Sequence, residues 1–147
     1  MNLMPDKTKT NPTQHILTWL WYWLPPLIWM GIIFYLSHQP DLPHAPAYWL
    51  DAVLKKLAHV SEYAILFLLF CRAWRRGRAA GLVLRRSLLT TTAYAISDEL
   101  HQAWVPGRHA NGYDVLIDLS GVLLLWWLMQ SRHWRRLFHG KDKYLAE

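Results

Sequence analysis

A single cysteine, Cys71, is all the thiol this chain has, so an internal disulfide and a cysteine-built metal cage are both excluded. Its place at the end of an apolar run beside Arg72 would permit palmitoylation, but a lipid- or core-facing cysteine is the plainer reading. Internal repeats and low-complexity segments are also missing, which sets aside solenoid architectures. Charge is missing over one long stretch: Ile16 to Ser37 holds 22 residues without a formal charge. At about 1.5 Å per helical residue that run crosses a hydrocarbon layer about 30 Å thick. Acidic residues are outnumbered, 10 against 16 Lys and Arg, for a net charge of +6.

What is present is apolar and aromatic. Hydrophobic residues fill 53% of the 147 positions while mean hydropathy is only +0.02, so their arrangement decides the class. Four runs, about 16–37, 54–72, 82–102 and 114–131, predict an all-α chain, an integral membrane four-helix bundle in one domain over 16–131. Residues 1–15 read as a mobile cytoplasmic tail and 132–147 as a basic cytoplasmic tail. Ala45-Pro46-Ala47 has the spacing of a leader cleavage site. The run before it is longer than a leader's apolar region, rich in bulky aromatics, and ends several residues too early, so it is expected to stay as a span. Pro25 and Pro26 remove two backbone donors and predict a kink near the middle of that span. The prolines between His38 and Asp51 predict a turn-rich loop, closed by a short amphipathic stretch through Tyr48, Trp49 and Leu50. Most tryptophans, among them Trp19, Trp21, Trp49, Trp104, Trp126 and Trp127, fall near the ends of apolar runs, as in the aromatic belts of bilayer interfaces.

Thirteen of the sixteen basic residues lie in the N-tail, the 72–86 connection and the C-tail. Four spans put these regions on one side, and the positive-inside rule makes that side the cytoplasm of a bacterial inner membrane, N-in and C-in. The 38–56 and 98–114 loops then face outward, with only Lys55, Lys56 and Arg108 basic. The same distribution removes nucleic acid as a partner, because the basic patch is already accounted for by topology.

This orientation brings three polar sets to one depth on the outer side. Lys56, His59 and Tyr63 stand at i, i+3 and i+7; Asp98 and Gln102 at i and i+4, with Glu99 beside them; Asp114, Asp118 and Gly121 at i, i+4 and i+7. Each set can occupy one helix face, and three such faces can line one pocket. An Asp or Lys at the centre of a span costs about 2.5–3.5 kcal/mol on insertion scales, which favours turning these faces inward and pairing Lys56 and Arg108 with the carboxylates. Each residue also has a plain reading: Lys56 and Glu62 as an interfacial lysine and its helix partner, His59 and Tyr63 as a structural pair, Asp114 as an N-cap. Arg108, at the tip of a Pro106-Gly107-Arg108 turn, is suited to phosphate, or simply to lipid headgroups. Candidates for a divalent cation are Asp98, Asp114 and Asp118; His38, His44 and His109 show no His-x3-His spacing.

Taken in order, K-x-x-H-x-x-x-Y at Lys56, His59 and Tyr63, D-E-x-x-Q at Asp98, Glu99 and Gln102, P-G-R at Pro106 to Arg108, and D-x-x-x-D-x-x-G at Asp114, Asp118 and Gly121 resemble the VanZ-like family. These are small multi-pass bacterial membrane proteins named after a component associated with glycopeptide (teicoplanin-type) resistance. The resemblance covers about residues 32–125. It departs at Asp118, where Asn is also common, and after Gly121, where a second glycine is replaced within Leu123 to Trp127.

The resemblance implies an envelope setting and a grouped polar site, without settling a reaction. The leading expectation is a site for an anionic, lipid-linked or cell-wall-related ligand, contacted by Lys56, His59, Tyr63, Asp98, Glu99, Gln102, Arg108, Asp114 and Asp118, with a divalent cation as the one cofactor in view. The alternatives are an enzyme for phosphate hydrolysis or transfer, with His59, Glu99 and Asp114 as candidate catalytic groups, and a structural or partner-docking protein.

Overall fold

The computed structural model describes residues 12–39, 48–106 and 112–130. Most of the expected tails lies outside the described residues, as do Arg108, His44, His109 and the side chain of Asp51. Four helices are present: α1 (Pro12–Ser37), α2 (Tyr48–Trp74), α3 (Ala80–Gln102) and α4 (Gly112–Gln130). Among the described residues there is no strand, so the all-α four-helix bundle expected from the apolar runs is what forms.

The helices are longer than the runs that predict them. α2 begins at Tyr48, six residues before the apolar run at 54, because a helix needs apolar residues only where it packs or meets lipid. Lys55 and Lys56 are ordinary helix formers that simply continue it outward. α1 remains helical across Pro25 and Pro26, with Pro26 buried against the bundle. Between α2 and α3, Gly77 takes φ +64°, a left-handed position that a side chain disfavours, and so allows the tight reversal.

α2 is the hub and packs on all three other helices; α1 leans on α2 and more lightly on α3. The core is built mainly by α2, through Tyr63, Leu66, Phe67 and Phe70 at i, i+3, i+4 and i+7, joined by Ile33, Leu84, Ala95, Leu119 and Val122. α4 comes closest to α2 at Gly121, where an added Cβ would stand 2.6 Å from Val60 Cγ1 and 3.3 Å from the Val60 carbonyl oxygen. Side chains also bond to backbone between α1 and its neighbours: Trp29 Nε1 donates to the Glu62 carbonyl at 2.9 Å, and the Tyr94 hydroxyl donates to the Met30 carbonyl at 2.5 Å.

α3 buries polar residues beside Val83, Leu84 and Ala95. Ser87, Thr91, Asp98 and Gln102 on it are buried, whereas Leu82, Leu89, Ile96 and Leu100 are exposed. Over the described chain, twenty-seven large hydrophobic side chains are exposed against thirteen buried hydrophobic residues, far more apolar surface than a water-facing domain carries. By length and composition two helical segments are able to cross a membrane, Pro12–Ser37 and Tyr113–Gln130. α2 and α3, of 27 and 23 residues, have the length but are diluted by charged residues, such as Lys55, Lys56 and Glu62 in α2 and Arg85, Arg86, Asp98 and Glu99 in α3.

The two ends of the bundle differ. At one, Arg72 lies over the rings of Trp21 and Tyr22 at 5.2 and 5.4 Å, and Trp74 is flanked by Arg78 and Arg86 at 5.3 and 5.1 Å. Aromatic faces hold these cations by their quadrupoles while the charged heads stay free to reach water or headgroups. The carboxylates collect at the opposite end.

Candidate functional site

The final turns of α1 and α3 and the middle of α2 converge on Asp98, whose exposure is 2%. One of its oxygens, Oδ2, accepts three hydrogen bonds: from Ser37 Oγ at 2.7 Å, from the Tyr63 hydroxyl at 2.8 Å and from Gln102 Nε2 at 2.9 Å. Gln102 Nε2 also approaches Ser37 Oγ at 3.3 Å. Three helices are therefore tied to a single atom. A carboxyl group taken out of water is costly by several kcal/mol when ionised, about the scale that converging donors can offset. The second oxygen, Oδ1, is buried with no hydrogen-bond partner among the described residues.

Beside this network α2 and α4 meet through His59 and Asp118. His59 Nδ1 lies 3.7 Å from Asp118 Oδ2, an ion-pair distance when the imidazole is protonated and too long for a hydrogen bond. The side chains are 23% and 8% exposed, so the histidine is reachable and the carboxyl behind it is nearly sealed. Asp118 also lies within electrostatic range of Glu99, Asp114 and Asp98.

The structure separates these residues in depth as well as by helix face. Along α2, Lys56 is exposed, His59 half-buried and Tyr63 buried. Glu99 and Asp114 are half-buried at the rim, and Arg108 lies outside the described residues. Tyr63, Asp98 and Gln102 are joined directly, His59 and Asp118 are paired, and Lys56 stands outward. Among the described residues no group of three or more His, Cys, Asp or Glu side chains is placed to hold a metal ion, Asp98, Asp114 and Asp118 included.

Two partners escape sequence reasoning. Ser37 is the final residue of an apolar run and carries no charge to mark it. His38 and His101 face each other at 3.3 Å although 63 residues apart. No spacing rule joins α1 to α3, so only the packing of the two helices could reveal either contact. An apolar lateral groove of about 620 Å³ between α1 and α2, lined by Leu17, Leu20, Leu24, Ile28, Ile65 and Leu69, contains none of these polar residues.

These features define a class: an all-α bundle with a partly polar interior, an apolar outside, carboxylates gathered at one end and arginines at the other. Within that class the VanZ/LLP1 family profile matches residues 1–134, and the chain belongs to that family. No match was found among curated proteins or among solved structures.

Proposed function

We propose that this chain is a four-span protein of the bacterial cytoplasmic membrane, N-in and C-in, whose polar end faces outward and binds an anionic, lipid-linked or cell-wall-related ligand. The exposed apolar residues of α3 and the apolar exterior support embedding in lipid, and the arginine-rich end supports the orientation. The observation that carries the ligand reading is His59: a half-buried imidazole whose Nδ1 is buried toward a nearly sealed Asp118, leaving Nε2 as the ring nitrogen open to a ligand. Such a group is held ready for an anionic oxygen. Lys56 and Arg108 add positive charge at the rim, and Glu99 and Asp114 accept donors from the ligand. The family resemblance extends the proposal to a link with glycopeptide resistance.

A different role falls, in this reading, to Ser37, Tyr63, Asp98 and Gln102. Their burial and mutual bonding support a structural function, fastening α1, α2 and α3 beneath the binding residues. Thermal unfolding of the full-length protein in mild detergent, with and without a polyprenyl phosphate, tests the division. A ligand at a hundred times its Kd stabilises the folded state by about 2.7 kcal/mol. That shift is expected in the wild type and lost in His59→Gln, Arg108→Glu and Asp114→Asn, with ligand-free stability retained. Equal shifts in wild type and variants would end the ligand reading.

A further inference from the structure

We propose that His38 and His101 form a two-histidine site for a divalent transition-metal ion of the zinc class, bridging α1 to α3 at the carboxylate-rich end of the bundle. The inference is independent of the ligand reading above, since it uses neither His59 nor Arg108. Its basis is geometric. Nδ1 of His38 and Nε2 of His101 are 3.3 Å apart, and their ring centroids 5.4 Å. A tetrahedral ion at about 2.0–2.1 Å from each of two imidazole nitrogens holds those nitrogens about 3.4 Å apart. The pair is thus already at the separation a shared ion requires. In the ion's absence the same atoms can share one N–H···N hydrogen bond, which keeps the two nitrogens directed at each other.

The surroundings fix the rings while leaving them accessible. Phe34 stacks on His101 at 4.4 Å and lies parallel to His38 at 6.3 Å, so both imidazoles rest against one aromatic face. Their backbones are anchored, His38 N–H to the Phe34 carbonyl at 3.0 Å and the His101 carbonyl to Trp104 N–H at 2.9 Å. His38 is exposed and His101 half-buried, which gives an ion in solution a path to both nitrogens. Asp98, Glu99, Asp114 and Asp118 lie at this end of the bundle, and their charge favours a cation there. Imidazole nitrogen selects zinc, nickel and copper over magnesium and calcium. Two protein ligands leave the remaining positions to water or to an anionic oxygen. His38 follows Ser37 and His101 precedes Gln102, so the ion would cap the layer directly outside the Asp98 network.

The test uses full-length protein in detergent, purified with a tag that contains no histidine and titrated separately with Zn²⁺, Ni²⁺ and Mg²⁺ by calorimetry and thermal shift. Zn²⁺ and Ni²⁺ are expected to bind and raise the Tm, and Mg²⁺ to do neither. His38→Asn and His101→Asn should each weaken Zn²⁺ binding by about tenfold or more, as expected when one of two ligands is lost. His15→Asn, at the opposite end of α1, should leave it unchanged. Cu²⁺ bound to the wild type, read by electron paramagnetic resonance, should show two imidazole nitrogens, a readout that needs no variant to fold. Zn²⁺ affinity unchanged in the double variant His38→Asn/His101→Asn, or a copper signal with fewer than two nitrogens, would overturn the proposal.

Discussion

Removing the Tyr63 hydroxyl and the Asp98 carboxyl, separately and together, probes the network that joins three helices at one oxygen. Tyr63→Phe deletes the donor of a 2.8 Å bond and leaves the ring in place. A hydrogen bond to a charged group contributes about 1.5–3 kcal/mol net in water-soluble proteins. Between membrane helices, measured couplings average about 0.6 kcal/mol and reach about 1.7, because helices separated in lipid find other partners. Three donors converge on Asp98 Oδ2, so the upper part of the membrane range applies, and Tyr63→Phe should cost about 1–2 kcal/mol. Asp98→Ala is worse: it takes the shared acceptor from Ser37 Oγ and the Tyr63 hydroxyl in a sealed site, each at about 1–3 kcal/mol, and leaves Gln102 Nε2 only its weaker contacts, for a loss of about 3 kcal/mol or more. In the Asp98→Ala background Tyr63→Phe removes one stranded donor, and its effect should fall to zero or become stabilising. The assay is reversible unfolding in mixed micelles, followed by circular dichroism, for all four members of the cycle. Additivity within about 0.3–0.5 kcal/mol, the behaviour of independent sites, would refute the reasoning.

Gly121→Ala should destabilise by about 1–3 kcal/mol through overpacking, since the new methyl would meet Val60 Cγ1 at 2.6 Å on a helix where valine has one preferred rotamer; Val60→Ala combined with it should recover most of the loss in the same assay. Tyr94→Phe should cost about 1 kcal/mol by deleting the bond to the Met30 carbonyl, and a cycle with Asp98→Ala should show far weaker coupling than Tyr63→Phe does.

How much of this was readable from the residues alone depends on the range of each interaction. The i, i+4 relation of Asp98 and Gln102 is local, and it is realised as a 2.9 Å bond. The faces of α2 and α4 were readable by the same periodicity, which brings His59 opposite Asp118. Depth along a face was not: Lys56 shares its side of α2 with Tyr63 yet stands exposed, because it lies two turns nearer the start of the helix and its long cationic side chain can reach solvent. Averaged hydropathy says little about α3, because its buried stripe mixes Ser87, Thr91, Asp98 and Gln102 with Val83, Leu84 and Ala95 while Leu82, Leu89, Ile96 and Leu100 are exposed. Ser37 and the His38–His101 contact depend on how α1 docks against α3, and sequence spacing carries no record of that docking.

The central claim, that the polar end of a membrane-embedded bundle faces away from the cytoplasm, is tested most directly by cysteine labelling. In a Cys71→Ser background, single cysteines replace Trp104, 86% exposed beyond the end of α3, and Arg76, exposed in the connection between α2 and α3. A membrane-impermeant maleimide applied to intact cells made permeable only at the outer envelope should label Trp104→Cys, and should reach Arg76→Cys only after the inner membrane is broken. The reverse pattern, or labelling of both positions from outside, would contradict the account.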